Sequence, residues 1–382
     1  MLSDIVVLDL SRALAGPHAA MMLGDLGARV IKVESPAGDD TRAWGPPFVG
    51  DVDDRQSTYF LSCNRNKESI VLDLKSEHGV RTLEELVTRS DVLIENFRTG
   101  VLDRLGFSVE RLHELNPRLV IASITGFGHD GPEGHRPGYD QIAQGEAGLM
   151  SLTGDVDGAP TKVGVPIADL LAGIHAVVGI TAALHARQST GRGQVVRTSL
   201  LAALVGVHAF QGTRWTVADQ EPTRTGNHHP SISPYGLFHA KDSAVQVAVG
   251  SQAQWRALSH VIGVDPDDER FVDNVSRVER RAELTAIVEA AFSDLLAADV
   301  IDRLEQAGVP AGRVRSISEV YEWDQVQSQG LVLMVDHPTL GEISLPGSPL
   351  RFDGSAPRPS HLAPPLLGEH QRAVEDWLAA TR

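Results

Sequence analysis

Asp169 lies in the stretch Val165-Pro166-Ile167-Ala168-Asp169-Leu170-Leu171-Ala172-Gly173 and is the only ionisable side chain between Lys162 and His175. A carboxylate in such apolar surroundings has two uses. As a helix N-cap it accepts a hydrogen bond from a free backbone N–H, and a long apolar helical pattern follows it here. As a reagent, stripped of its hydration shell and set against an activated ester, it attacks and forms a mixed anhydride. The two uses are compatible. A cap position aims N–H groups and the positive end of the helix at the carboxylate and keeps it ionised at neutral pH.

Other reactive patterns are weaker. The first strand-helix-strand unit ends on an acid, Glu34, as a dinucleotide fold would. The turn Ser11-Arg12-Ala13-Leu14-Ala15-Gly16-Pro17 has one glycine where the fingerprint needs three. A literal G-x-G-x-x-G occurs at Gly126-Phe127-Gly128-His129-Asp130-Gly131, but Pro132 through Gly138 cannot open a helix after it. It reads as a long loop at the end of a strand, where open α/β sheets bind ligands. The fifteen histidines include the pairs His129 with His135 and His228 with His229. None has metal-ligand spacing, so no metal is expected. Cations near that sheet edge are few: Lys67, Lys75, Arg98 and Arg104.

These groups must be held by a chain of 382 residues, enough for two domains. A net charge of −16 argues against nucleic-acid or anionic-membrane partners. One cysteine, Cys63, forbids an intrachain disulfide and suits a cytoplasmic location. No signal peptide is apparent. Strand and helix patterns alternate: strands at 5–10, 28–34, 69–74, 91–95 and 119–124, with helices at 17–26, 77–88 and 108–115. That order indicates a mainly parallel sheet covered on both faces. Two uncharged runs, 170–186 and between Arg197 and Arg214, read as buried helices of a soluble protein. A polar linker at 219–230 leads to a hairpin over 237–250 and helices at 252–262, 281–296 and 300–306, a smaller α+β domain. Residues 331–352 read as strand and turn, and 370–380 as a closing helix. The expected organisation is a large α/β domain over 1–218, a small one over 219–322, and a return to the large one over 323–382.

Several segments form an ordered set. They are Val7-Leu8-Asp9-Leu10-Ser11-Arg12, Ala15-Gly16-Pro17 and Leu26 through Glu34, then Asn66-Lys67-Glu68-Ser69-Ile70, Glu95-Asn96-Phe97 and Asp103-Arg104-Leu105-Gly106. Leu115-Asn116-Pro117, Gly138-Tyr139-Asp140, Ala168-Asp169, Thr190 through Gln194 and Ala363 through His370 complete it. Together they resemble the class III CoA-transferases, the CaiB–BaiF family, over essentially the whole chain. The resemblance implies a large Rossmann-like domain built from both chain ends, a small domain between, and an interlocked homodimer. It implies acyl-CoA and carboxylic acid substrates with no tightly bound cofactor. Asp169 would be the acyl-carrying carboxylate. Leu14, Ala15, Leu72, Asp73, Leu74, Lys75, Asn96, Phe97, Arg98, Arg104, Pro137, Gly138, Tyr139 and Asp140 fall where the family binds coenzyme A.

The implied reaction passes through an aspartyl anhydride and an aspartyl-CoA thioester. Leu14, Ser35 and Pro137 depart from the glutamine, arginine and lysine of the formyl-CoA:oxalate enzymes, which argues against oxalate. Gly226 through Gly236 looks like the branch acting on larger acids with succinyl-CoA as donor. The main alternative is 2-methylacyl-CoA racemisation, which needs a second base; Tyr139 stands where racemases have histidine, and His129 is the substitute. A non-catalytic CoA-ester binder is the remote alternative.

Overall fold

In the computed structural model, which describes residues 1–354, 358 and 360–380, the apolar runs of the first half become strands of one sheet. They are β1 (Val6–Asp9), β2 (Arg29–Glu34), β3 (Lys67–Val71), β4 (Val92–Glu95), β5 (Val120–Thr125) and β6 (Val195–Ser199). All five pairings are parallel, in the order β3-β2-β1-β4-β5-β6. This is a doubly wound order, and its direction reverses between β1 and β4. The longer helices of this half are α1 (Ala15–Asp25), α2 (Thr58–Cys63), α3 (Glu77–Thr88), α4 (Val109–Leu115), α5 (Asp140–Glu146), α6 (Ile167–Thr190), α7 (Leu200–Gly206) and α8 (Ala209–Thr216).

Successive strand residues face opposite sides, so each strand serves two cores. Val7, Val30, Val92, Ile94 and Val120 pack under α1 and α6. Leu8, Ile31, Leu93 and Ile121 pack against Leu83, Leu86 and Leu112 on the other face. The third strand begins two residues before the expected span, at Lys67, whose side chain is fully buried. The second uncharged run is not one helix. Its first residues, Thr198 and Ser199, belong to the edge strand β6, because they pair with Ile124 and Thr125. Ser199 then caps α7 by accepting the Ala202 N–H at 3.0 Å, and the positive φ at Ala209 separates α8.

The chain folds as two units, each with its own core. The larger holds Met1–Leu149, Val163–Asp219 and the chain from Asp324 onward. The smaller holds Gln220–Trp323 and also Met150–Lys162. Arg224 draws that second segment in: its Nη2 donates to Gly158 O at 2.8 Å and its Nε to Asp155 O at 3.2 Å. The smaller unit has an antiparallel sheet of β7 (Tyr235–His239), β8 (Ala244–Ala248) and β9 (Ala311–Arg313), with helices α9 (Gln252–Ile262), α10 (Arg281–Phe292) and α11 (Ala297–Gln306) around Trp255, Phe238 and Phe271. In the larger unit the returning chain adds the hairpin β10 (Val332–His337) and β11 (Gly341–Pro346), packed on Leu61 of α2, and α12 (Gln371–Ala380), packed under the sheet through Val374 and Leu378.

Helix α6 is long and apolar enough to cross a membrane by length and composition alone. Its inner face, Ala168, Ala172, Ala176 and Ile180, is buried in the core. Small residues let it approach α1 closely. A Cβ added at Gly173 would lie 2.7 Å from the Ala15 carbonyl and 3.3 Å from the His18 ring. Gly173→Ala is therefore expected to lower stability in urea unfolding by about 1–3 kcal/mol. Gly206→Ala, where nothing lies within 4 Å, should instead be neutral or stabilising by up to about 1 kcal/mol. Equal effects at the two positions would contradict the close packing of α1 on α6.

Candidate active site

The reversal point between β1 and β4 is where a doubly wound sheet opens a crevice at its carboxyl edge. Two loops leave the strands there, 10–14 and 96–98, and they are joined directly. The Arg12 N–H donates to Asn96 Oδ1 at 2.8 Å, and Asn96 Nδ2 returns a bond to Arg12 O at 2.7 Å. The Arg12 guanidinium also lies 5.7 Å from the Phe97 ring centroid.

A buried ion cluster fixes the β1 turn from below. Lys67 Nζ donates to Asp9 Oδ2 at 2.9 Å, Pro17 O at 2.8 Å and Asn64 Oδ1 at 2.9 Å. Lys32 Nζ donates to Asp39 Oδ2 at 2.9 Å and to Ser11 O at 3.0 Å. Glu34 binds Arg42 through both oxygens. Burial alone would make Asp9 and Asp39 weaker acids. The ammonium groups, with Ser11 and Thr41, hold both carboxyls below their ordinary range. All three donors of Lys67 are engaged, so it is a structural cation and not a ligand-edge one.

Asp169 is the third residue of α6 and not its N-cap. The cap comes from another element: Asp140 Oδ1 accepts the Ala168 N–H at 2.8 Å. Asp140 Oδ2 is held by Gln144 Nε2 at 2.7 Å, and Gln144 Oε1 accepts Val163 N–H at 2.9 Å. The Asp169 carboxyl has no hydrogen-bond donor and no cation among the described residues. Burial, and then the Asp140 charge, push it up to about 7. This corrects the expectation that a helix end keeps it fully ionised at neutral pH: the donors at that end are taken by Asp140 and by the backbone.

Residues around Asp169 include several that the linear sequence did not single out. Tyr59 of α2 packs with Leu14, Met21, Cys63 and Leu170. Its phenol is made less acidic, by burial first and the Asp169 charge second. The Trp44 ring meets Tyr59 edge-on at 5.0 Å. His18, beside Gly173, is pushed down to about 4 by burial and the Arg65 and Lys67 charges, so it is neutral. Cys63 is buried, and its thiol is pushed up to about 11. Only the serine cap of α2, Ser57, offered a sequence signal here.

The other candidate residues divide into groups. Leu14, Ala15 and Leu72 are buried core side chains, which leaves their backbones for any ligand contact. Asp73, Leu74 and Lys75 follow β3, the outermost strand, where Asp73 Oδ1 accepts the Lys75 N–H at 3.0 Å. Lys75, Arg98 and Arg104 are exposed and stand in no ion pair among the described residues. Pro137 and Tyr139 are exposed. Gly138 closes the loop after β5, since a Cβ on it would lie 2.5 Å from Gly126 Cα. The loop between these glycines has no helix, and α5 starts only at Asp140. Of the residues a racemase would use as second base, Tyr139 is solvated and His129 Nε2 is engaged with Ser123 at 2.8 Å.

Comparison with known proteins gives a consistent result. Residues 2–371 match the family described as CoA-transferase family III. The chain is 41% identical over 379 residues to succinyl-CoA:glutarate CoA-transferase of Mus musculus, covering 98% of this chain and 85% of that protein. It is 42% identical over 387 residues to succinate–glutarate CoA-transferase of Agrobacterium fabrum, covering 98% and 94%. A crystal structure of a CaiB/BaiF family protein from Brucella suis superposes with a TM-score of 0.88 at 40% identity over 99% of both chains.

The raised carboxyl has a thermodynamic consequence. Between its ordinary value of 3.8 and about 7, Asp169 is protonated when folded and ionised when unfolded. Its contribution to stability is thus full below pH 3.8, falls as pH rises toward 7, and is level above. The loss is on the order of 4 kcal/mol. Asp169→Asn, which cannot ionise, is expected to melt above the parent at about pH 8, with the gap closing as pH is lowered toward 4. Thermal unfolding across that range checks this; a gap independent of pH would contradict the burial of an unpaired carboxyl.

Proposed function

The chain belongs to CoA-transferase family III and is a CoA-transferase, and we propose that Asp169 carries the acyl group through its reaction. The carboxylate attacks the donor thioester carbonyl, forming an aspartyl mixed anhydride and releasing the CoA thiolate. The thiolate attacks the aspartyl carbonyl; the free donor acid leaves, and an aspartyl-CoA thioester remains. The acceptor carboxylate attacks that carbonyl and gives a second anhydride and thiolate. The thiolate then attacks the acceptor's acyl carbon, producing the new acyl-CoA and restoring Asp169. Each step exchanges one acyl–oxygen or acyl–sulfur bond for another, so activation is conserved and no other energy source is needed.

One observation carries this reading: a half-buried carboxylate with neither donor nor cation among the described residues, pushed up to about 7 by desolvation and the Asp140 charge. Such a group is poorly solvated in its ionised form, which favours attack, and its largely apolar neighbours limit the water that can reach anhydride and thioester. Lys75, Arg98 and Arg104, in no ion pair among the described residues, are the cations that would meet phosphates of coenzyme A. Succinyl-CoA is the proposed donor and a five-carbon dicarboxylate such as glutarate the proposed acceptor, on the strength of the named relatives. We also read the exposed Val178, Val205, Phe210 and Trp215 of α6 to α8 as covered by a second copy of the chain. Light scattering should then give about twice 41.1 kDa; a monomer at micromolar concentration would count against it.

Asp169→Asn is expected to lower succinyl-CoA to glutarate exchange by ~10³-fold or more while keeping the fold. Borohydride or hydroxylamine added during turnover should leave a mass change on the peptide holding Asp169. The parent's kcat/KM should rise with pH through about 7, as the free carboxyl ionises. Exchange by Asp169→Asn at the parental rate would end the covalent reading.

A further inference from the structure

Glu95 and Ser123 face each other across the paired strands β4 and β5, and both side chains are buried. Glu95 Oε2 accepts the Phe97 N–H at 2.8 Å, and Oε1 is hydrogen-bonded to the Ser123 hydroxyl. The Ser123 oxygen is in turn 2.8 Å from His129 Nε2, on the loop after β5. No cation is paired with Glu95 among the described residues. Burial first, with the Asp103 charge, raises its carboxyl above the ordinary range, against the opposing hydrogen bonds from Ser123 and Phe97. His129 is shaped by burial, Arg197 and Asp130. The acyl-transfer steps leave all three groups unused.

The order of the chain fixes its polarity. In its ionised form Glu95 has no proton to give: Oε2 accepts the Phe97 N–H and the Ser123 O–H points at Oε1. The Ser123 oxygen then serves as acceptor toward His129, which places the imidazole proton on Nε2. Nδ1 is left as a lone-pair acceptor, and no donor reaches it among the described residues. The same relay ties two ligand-edge loops to the sheet: Glu95 holds Phe97, and Ser123 holds the loop that Gly126 and Gly138 close.

We propose that Glu95 and Ser123 are positioning residues that hold His129 in its Nε2–H form, so that Nδ1 accepts a hydrogen bond from an N–H or O–H of the coenzyme A portion of the substrate. Coenzyme A offers such donors in its amides, hydroxyls and adenine amino group. The inference rests on the reading that acyl-CoA binds at this sheet edge.

Three variants of the full chain test it at about pH 8. His129→Gln keeps a group to bond Ser123 but loses the Nδ1 acceptor; it should raise KM for succinyl-CoA about tenfold, with kcat within twofold and KM for the acceptor acid unchanged. His129→Asn, whose amide oxygen occupies the Nδ1 position, should recover most of that loss. Glu95→Gln donates to Ser123 instead of accepting from it and reverses the relay. It should show the same KM rise and move the His129 proton to Nδ1 in the ¹⁵N spectrum of histidine-labelled protein. An unchanged succinyl-CoA KM in His129→Gln, or a fall in kcat equal to the KM effect, overturns the proposal. So does an unaltered tautomer in folded Glu95→Gln; if that variant does not fold, the two His129 variants decide. The tautomer is read without substrate, so it stands apart from the exchange assay of Asp169→Asn, whose failure would strike the active-site reading alone.

Discussion

A fully buried ammonium governs this architecture. Lys67 meets an acceptor with each of its three donors: Asp9 on β1, Asn64 after α2, and the Pro17 carbonyl in the first turn of α1. Removing one partner of such a pair strands a charge out of water and costs about 3–5 kcal/mol. The cluster therefore sets where β1 turns, where α1 begins and where α2 ends. Helix α6 seats against α1 at Gly173, one turn beyond Asp169, so the position of that carboxylate is inherited from a cation it never touches.

The same residue type serves opposite ends within this unit. Asp9 and Asp39 are buried among ammonium groups and hydrogen bonds and stay ionised below the ordinary range. Asp169 is half-buried without such partners and lies near neutrality. Desolvation acts on all three; the presence or absence of a cation decides between scaffold and reagent. Asp140 sharpens the contrast by taking the helix-end N–H that would otherwise stabilise Asp169.

Doubly wound topology explains why the ligand-edge loops converge. Strand order reverses between β1 and β4, and the two loops leaving that point bond through Arg12 and Asn96. The loop after β5 is closed on itself by Gly126 and Gly138 and delivers Asp140 to the start of α6. The segment after β3 lies at the outer edge of the sheet, reached through β2 rather than at the reversal itself. Cations for a long, flexible, multiply charged substrate are thus spread along the edge rather than gathered in one cup.

Much of this was legible in linear order. Alternating apolar runs determined a parallel sheet covered on both sides, because burial on two faces leaves a near-continuous apolar signature in each strand. The lone acid among Ala, Leu and Ile marked Asp169. Tertiary structure alone decided that Lys67 is interior, that Asp140 and not Asp169 caps α6, that Tyr59 stands by the carboxyl, and that Thr198 and Ser199 extend a sheet instead of opening a helix. Periodicity records which side of an element is dry. The acidity of a buried group depends on which distant residues stand beside it, and no local pattern carries that information.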